Sequence, residues 1–182
     1  MPKTKDNQNL LIIAASEHDA NLYYVTRFLA PDSFCFFRIR GRKILLMNDL
    51  EIDRARSQAD VQEVISLSNL ARAYHKKYDR RPRYLDLVEE FAKKNRVQKL
   101  TVPGNFPLEY ADPLRQRGFQ IECRPDPFFP ERMVKTKEEV AAIKRSIRFT
   151  EAAIQKAIDT MRASVIRKGK LYWKGAVLTS EI

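Results

Sequence analysis

The sequence predicts an α/β fold: a three-layer domain with a mixed sheet, followed by a long helix that belongs to a second, truncated domain. Three observations carry this reading. Short β-rich runs alternate with capped helical stretches as far as residue 124. Arg40-Gly41 joins two of those runs as a hairpin, so part of the sheet must be antiparallel. Beyond a proline-rich stretch, the pattern turns into one seven-residue apolar repeat.

Taken in order, LLIIAA (10–15) is a short apolar run and reads as a buried strand. Ser16, Asp19 and Asn21 offer capping side chains for a short helix over 19–28. Ala30-Pro31-Asp32 is a turn, and SFCFFRI (33–39) and RKILLM (42–47) are the arms of the hairpin. Leu50, Ile52 and Ala55 mark a helix over 49–57, and EVISLS (63–68) a further strand. Pro82 opens a helix that runs to Asn95, with Leu85, Val88, Phe91 and Ala92 on one face and Glu89, Glu90, Lys93 and Lys94 on the other. QKLTVPG (98–104) is a strand ended by Pro-Gly. Asp112-Pro113 predicts the cap and first position of a helix over 113–117, preceded by a turn at 107–111 and stopped by Gly118. FQIEC (119–123) alternates as a strand.

PDPFFPE (125–131) holds three prolines in seven residues and reads as a rigid, extended connection. The division that follows is 1–124, a connection at 125–135, and 136–182. Thr136 and Glu139 form a capping box. Behind them Val140, Ile143, Ile147, Thr150, Ile154, Ala157 and Met161 recur at spacings of three and four, the seam of a long helix with no evident partner in the first 131 residues. Leu178-Thr179-Ser180-Glu181 signals another helix start just before the last residue, so the chain is expected to be a fragment.

Composition bounds the function. Hydrophobic residues at 44% and charged residues at 31% exclude a disordered or low-complexity chain. No apolar run approaches the ~20 residues of a membrane span. Two distant cysteines, Cys35 and Cys123, exclude a disulfide scaffold and a Cys-rich zinc site, and predict a cytoplasmic protein. His18 and His75 have no second ligand at helical spacing, and Asp49, Glu51 and Asp53 read as the polar side of the 49–57 helix rather than a cation site. Cys35 sits among Phe34, Phe36 and Phe37 and reads as a core thiol rather than a nucleophile. Five glycines without a Gly-x-Gly cluster exclude the dinucleotide and Walker A phosphate loops.

The net charge of +11 raises the question of an acidic partner. Residues 132–182 carry +7 of it and residues 1–131 only +4. Within the first part, Tyr74, Lys76, Lys77, Tyr78, Arg80, Arg81, Arg83 and Tyr84 interleave aromatics with cations, as a single-stranded nucleic-acid groove does. A solvated loop between a strand and a helix uses the same residues and is the preferred reading.

Three segments, in order, resemble one family. NLYYVTRF (21–28) resembles the Asn-x-x-Tyr-x-Thr-x-Phe segment near the start of the Xaa-Pro aminopeptidases, prolidases and creatinases. VPGNFPLEYADPLRQRG (102–118) resembles a later part of their N-terminal domain. PFFPERMVKTKEEVAAIKRSIRFTEAAI (127–154) is the most specific: Pro130, Arg132, Lys135, Glu138, Glu139, Val140, Ile143 and Lys144 fall on the stretch that leads into the first helix of the family's catalytic domain.

The resemblance implies a creatinase/prolidase-type N-terminal domain followed by the start of a "pita-bread" metallopeptidase domain, which would cover the apolar seam. It implies a parent that cleaves peptide bonds next to proline with two divalent ions, manganese foremost, held by two Asp, one His and two Glu. Those ligand motifs lie downstream in the family and have no counterpart here, so this chain holds no catalytic or metal residue and is expected to be inactive alone. Its expected role is to shape substrate access and subunit contacts, with a peptide substrate and a homodimer in the parent. Tyr23, Tyr24 and Arg27 are the candidates for the substrate entrance, since a guanidinium can take a substrate carboxylate and tyrosines offer hydrogen-bonding walls. The alternatives are a catalytically dead peptide- or protein-binding module of the same fold, and a nucleic-acid binder through residues 74–84.

Overall fold

The computed structural model describes residues 8–179. They form two compact units divided between Met133 and Val134. The first is built on a six-stranded sheet of order β4-β3-β2-β1-β5-β6. Its strands are β1 (Leu10–Ala14), β2 (Phe34–Ile39), β3 (Arg42–Met47), β4 (Glu63–Ser66), β5 (Lys99–Pro103) and β6 (Gln120–Arg124). The hairpin makes β2 antiparallel to both β1 and β3, while β3–β4, β1–β5 and β5–β6 are parallel. The expected mixed sheet is therefore the one observed.

Helices cover both faces, as a sheet of mostly parallel strands requires. One face carries α1 (Ala20–Thr26) and α2 (Ile52–Gln58); the other carries α3 (Leu67–Tyr78), α4 (Tyr84–Lys94) and α5 (Leu108–Gln116). Alternation along the central strands divides the core. Leu11, Ile13, Cys35 and Phe37 pack toward Val88, Phe91 and Leu114, whereas Leu10, Ile12, Phe34 and Phe36 pack toward Leu22, Val25 and Phe28. Burial pushes the Cys35 thiol well up, in keeping with a core residue.

Four expectations need correction. Only the second part of the basic-aromatic stretch is a loop: residues 67–78 form α3, capped by Ser66, whose hydroxyl accepts from the Asn69 N–H at 3.1 Å, and 79–83 connect it to α4. The strand over 63–68 ends at Ser66 because that residue turns directly into the cap. The helix over 113–117 starts earlier, at Leu108 with Pro107 as its cap, and Pro113 lies inside it. Asp112 is then no cap; its carboxylate pairs with Arg115 one turn on, at 2.8 Å. Finally, α2 begins at Ile52, which leaves Asp49 outside the helix. Asp49 accepts from the Ser66 hydroxyl at 2.7 Å, and hydrogen bonds from Ser66 and then Ser68 hold its carboxyl below the usual range. It ties the β3–α2 connection to the start of α3.

The second unit consists of α6 (Lys137–Arg162) and a small antiparallel sheet, β7 (Val165–Arg167), β8 (Lys170–Trp173) and β9 (Ala176–Val177). The capping box is present: Thr136 Oγ accepts from the Glu139 N–H at 3.2 Å, and Glu139 Oε2 from the Thr136 N–H at 3.0 Å. No described residue of α6 is buried. The two small hairpins were not anticipated. Lys168-Gly169 and Lys174-Gly175 are two-residue loops with positive φ at both positions, as at Arg40-Gly41, the type I′ geometry that matches strand twist. The helix start expected at 178–181 involves Ser180 and Glu181, which lie outside the described residues.

One buried ion network pins α4 to α5. Asp86, 5% exposed, accepts from the Arg83 N–H at 2.8 Å and from Arg117 at 2.9 Å, and Arg117 also reaches Glu89 at 2.6 Å. Burial alone would raise the Asp86 carboxyl; the Arg83 N–H and the Arg117 guanidinium outweigh it and hold the group below its ordinary value. Its stabilisation is thus complete above the unfolded carboxylate range, near ~4, and is lost as pH falls through the lower folded value. Asp86→Asn should cost about 1–3 kcal/mol at neutral pH and flatten the acid limb of the stability curve. Urea unfolding of both proteins from pH 7 down to the acid transition checks this.

Candidate functional site

The entrance candidates lie on α1, a helix of seven residues, and at its C-terminal cap. Asp19 starts it, accepting from the Leu22 N–H at 2.7 Å. Thr26 ends it: its hydroxyl donates to the Leu22 carbonyl at 2.7 Å and accepts from the Phe28 N–H at 3.2 Å, which swings Phe28 into the core. Arg27 is the C-cap, in the left-handed region at φ 53°, with its N–H on the Tyr23 carbonyl.

The side chains of the three candidates part company here. Tyr24 is half-buried, its ring 5.9 Å from that of Phe129, and the Arg27 guanidinium stacks over it at 4.9 Å. Tyr23 is 42% exposed. The structure thus brings Tyr24 and Arg27 together in a cation–π stack on the segment that follows β6 and leaves Tyr23 facing solvent.

A neighbouring cluster was not anticipated. Asn21, 6% exposed, donates from Nδ2 to Asp126 Oδ1 at 3.4 Å and accepts from the Arg132 guanidinium on Oδ1. Arg132 also approaches the Tyr24 ring, at 6.0 Å. Asp126 takes the Phe128 N–H at 3.2 Å, and Arg124 donates to the Phe128 carbonyl at 3.3 Å. Phe128 and Phe129, in what reads as a bare connection, are fully buried against Leu22, Val25 and Phe28. The Asn-x-x-Tyr segment and the Pro-x-Arg segment, about a hundred residues apart, interlock. Only the topology brings them together, so spacing along the chain carried no signal for it.

The other classical place for a ligand is the crevice between parallel strands whose following helices leave to opposite faces. Here that is β1 and β5, since α1 covers one face and α5 the other. The crevice, about 180 Å³, is lined by Asp19, Ser33, Asn105 and Tyr110 among others. Asp19 closes it: one carboxylate oxygen caps α1 and the other accepts from Asn105 at 2.9 Å.

The metal-ligating types do not converge. Among the described residues, no group of three or more His, Cys, Asp or Glu side chains could hold a metal ion. His18 and His75 are both exposed. The residues present therefore do not fit the two-metal centre that the resemblance attaches to a parent protein. No helix among the described residues is long and apolar enough to cross a membrane.

No protein-family model matches the chain, and no curated protein sequence matches it. Solved structures do. An X-Pro aminopeptidase from Thermotoga maritima superposes with a TM-score of 0.69 at 16% identity, over 89% of this chain and 43% of that one. A Xaa-Pro dipeptidase from Bacillus anthracis gives 0.64 at 16% identity, over 87% and 40%. A prolidase from Pyrococcus furiosus gives 0.59 at 15%, over 84% and 39%. The chain spans about two fifths of the length of these structures. At such identities the likeness establishes the fold, and the fold is the one that the resemblance of the sequence implies.

The motif residues separate by role. Thr26→Val would leave the buried Phe28 N–H without its acceptor and should cost about 1–3 kcal/mol. Tyr23→Ala should stay within about 0.5 kcal/mol of the parent. Chemical denaturation of the two variants measures the difference.

Proposed function

We propose that this chain is the non-catalytic N-terminal part of a Xaa-Pro aminopeptidase- or prolidase-like metallopeptidase. Residues 1–124 would be its N-terminal domain, 125–135 the connection, anchored by Phe128 and Phe129, and 136–182 the first helix and start of the metallopeptidase domain. The supporting observation is the clasp of Asn21 with Asp126 and Arg132, in which two of the segments that carry the resemblance hold each other across the fold. The parent would cleave peptide bonds next to proline with two divalent metals, manganese the one expected, on residues supplied by the remainder of that domain.

The part played by this chain is then access and assembly. Tyr23 on α1 and Arg27 at its C-cap, both exposed, are the side chains offered to a peptide at the entrance, the guanidinium to its carboxylate. Tyr24 gives them a rigid base through its contact with Phe129. The exposed seam of α6, with Val140, Ile143, Ile147, Ile154 and Met161, fits a helix covered by the rest of such a domain in a homodimeric enzyme. A reducing, cytoplasmic setting goes with two unpaired cysteines, one buried and one exposed.

Two experiments test this reading. Incubated with Xaa-Pro peptides, the 182-residue chain should release nothing above the buffer rate, with or without manganese; turnover that stays with the chain through purification would overturn it. If the reading frame continues past Ile182, it should encode an Asp, Asp, His, Glu, Glu set. In such a longer protein, Arg27→Ala should raise KM several-fold and leave kcat nearly unchanged, since an entrance contact binds ground and transition states alike. A loss confined to kcat would contradict the role in access.

A further inference from the structure

The positive charge of the first 131 residues lies in one place. Residues 67–96, from the start of α3 past the end of α4, hold nine Lys and Arg against four Asp and Glu, a surplus of five where the whole of 1–131 has a surplus of four. The helices themselves enclose a groove of about 520 Å³, within the range of ligand pockets. Its floor is apolar, from Leu70, Ala73 and Leu87, and its rim carries Lys77, Lys93 and Lys94.

The acidic groups at this groove are already engaged. Glu90, on the groove, accepts from Lys77 at 2.8 Å and from the Tyr78 hydroxyl at 3.0 Å, and Glu89, next to it in the chain, accepts from Lys93 at 2.6 Å and Arg117 at 2.6 Å. Lys94 on the rim enters no ion pair among the described residues and is exposed, as is Lys76 beside Lys77 on α3. The aromatics are committed as well. Tyr74 is buried with Arg80 stacked over its ring at 5.2 Å and the Tyr78 ring 4.5 Å away; Lys77 covers Tyr78 at 4.8 Å.

We propose that the α3–α4 groove is a docking site for an acidic protein segment, with one or two apolar side chains on the floor and carboxylates on the rim lysines, Lys94 foremost. Three rim lysines against the single Glu90 give the charge complementarity, and the apolar floor gives the anchor. A single-stranded nucleic acid would need open ring faces on which to stack its bases. Tyr74 offers none, and an apolar floor is of no use to a phosphate chain. The inference stands apart from the peptidase reading and does not require it.

The test uses the full chain and fluorescence anisotropy with three labelled probes: a dodecapeptide of glutamates around a central Leu-Phe pair, the same peptide with lysines for glutamates, and oligo-dT of twelve nucleotides. The acidic peptide should bind, more weakly as salt rises, and the basic one should not. Ala73→Glu, which sets a carboxylate on the floor, and Lys94→Glu should each weaken binding about tenfold or more. Both sites are exposed, and circular dichroism confirms that each variant is folded; if one is not, the other decides. Equal affinity for the acidic and basic peptides, affinity unchanged in a folded variant, no binding of the acidic peptide at millimolar concentration, or tighter binding of oligo-dT would each overturn the proposal.

Discussion

One buried amide holds the first unit together where its chain would otherwise leave it. Asn21 lies on α1, yet both ends of its side chain are used by the segment after β6, the NH2 by Asp126 and the carbonyl by Arg132. An Asn in a core costs stability unless both of its functions are met. Here they are met only if residues 126–132 turn back across the sheet. That turn carries Phe128 and Phe129 under α1, and burying each of these rings is worth roughly 1.5–3 kcal/mol. The polar contact fixes the path, and the apolar burial supplies most of the energy.

The consequences reach α1 itself. A helix of seven residues is too short to be stable alone. It is held by Asp19 at its start, by Thr26 at its end, and by the stack of Phe129, Tyr24 and Arg27 on its flank. The exposed positions of α1 are therefore presented on a helix held at both ends and along its flank.

Much of this was legible in the chain. Strands β1, β2, β3 and β5 follow from short apolar runs, because central strands buried on both faces cannot hide their hydrophobicity, and the edge strand β6 follows from its alternation. Arg40-Gly41 gave its hairpin through turn chemistry. Lys168-Gly169 and Lys174-Gly175 carry the same turn signal, but their strands of only two to four residues give no strand pattern to go with it. α3 was lost for a different reason. Leu67, Leu70, Ala71, Tyr74 and Tyr78 do recur at helical spacing, but six cations between 72 and 83 make the stretch look like a solvated loop. Pro113 drew the start of α5 to the wrong residue, since a proline inside a helix is read as its beginning. For the candidate site, Tyr23, Tyr24 and Arg27 could be named from the segment in which they stand. The bonds of Asn21 to residues more than a hundred positions away could not, because they depend on β6 lying beside β5 and on the return path that follows it.

The most direct test of this account is a double-mutant cycle between Asn21→Ala and Arg132→Ala, with the stability of the full chain read by chemical denaturation. If the clasp fixes the path of residues 126–132, each single change is destabilising and the pair shows a coupling of about 0.5–3 kcal/mol, the second change costing far less once the first is made. Additivity within about 0.3 kcal/mol would mean that Asn21 and Arg132 act independently, and that burial of Phe128 and Phe129 holds the segment without them.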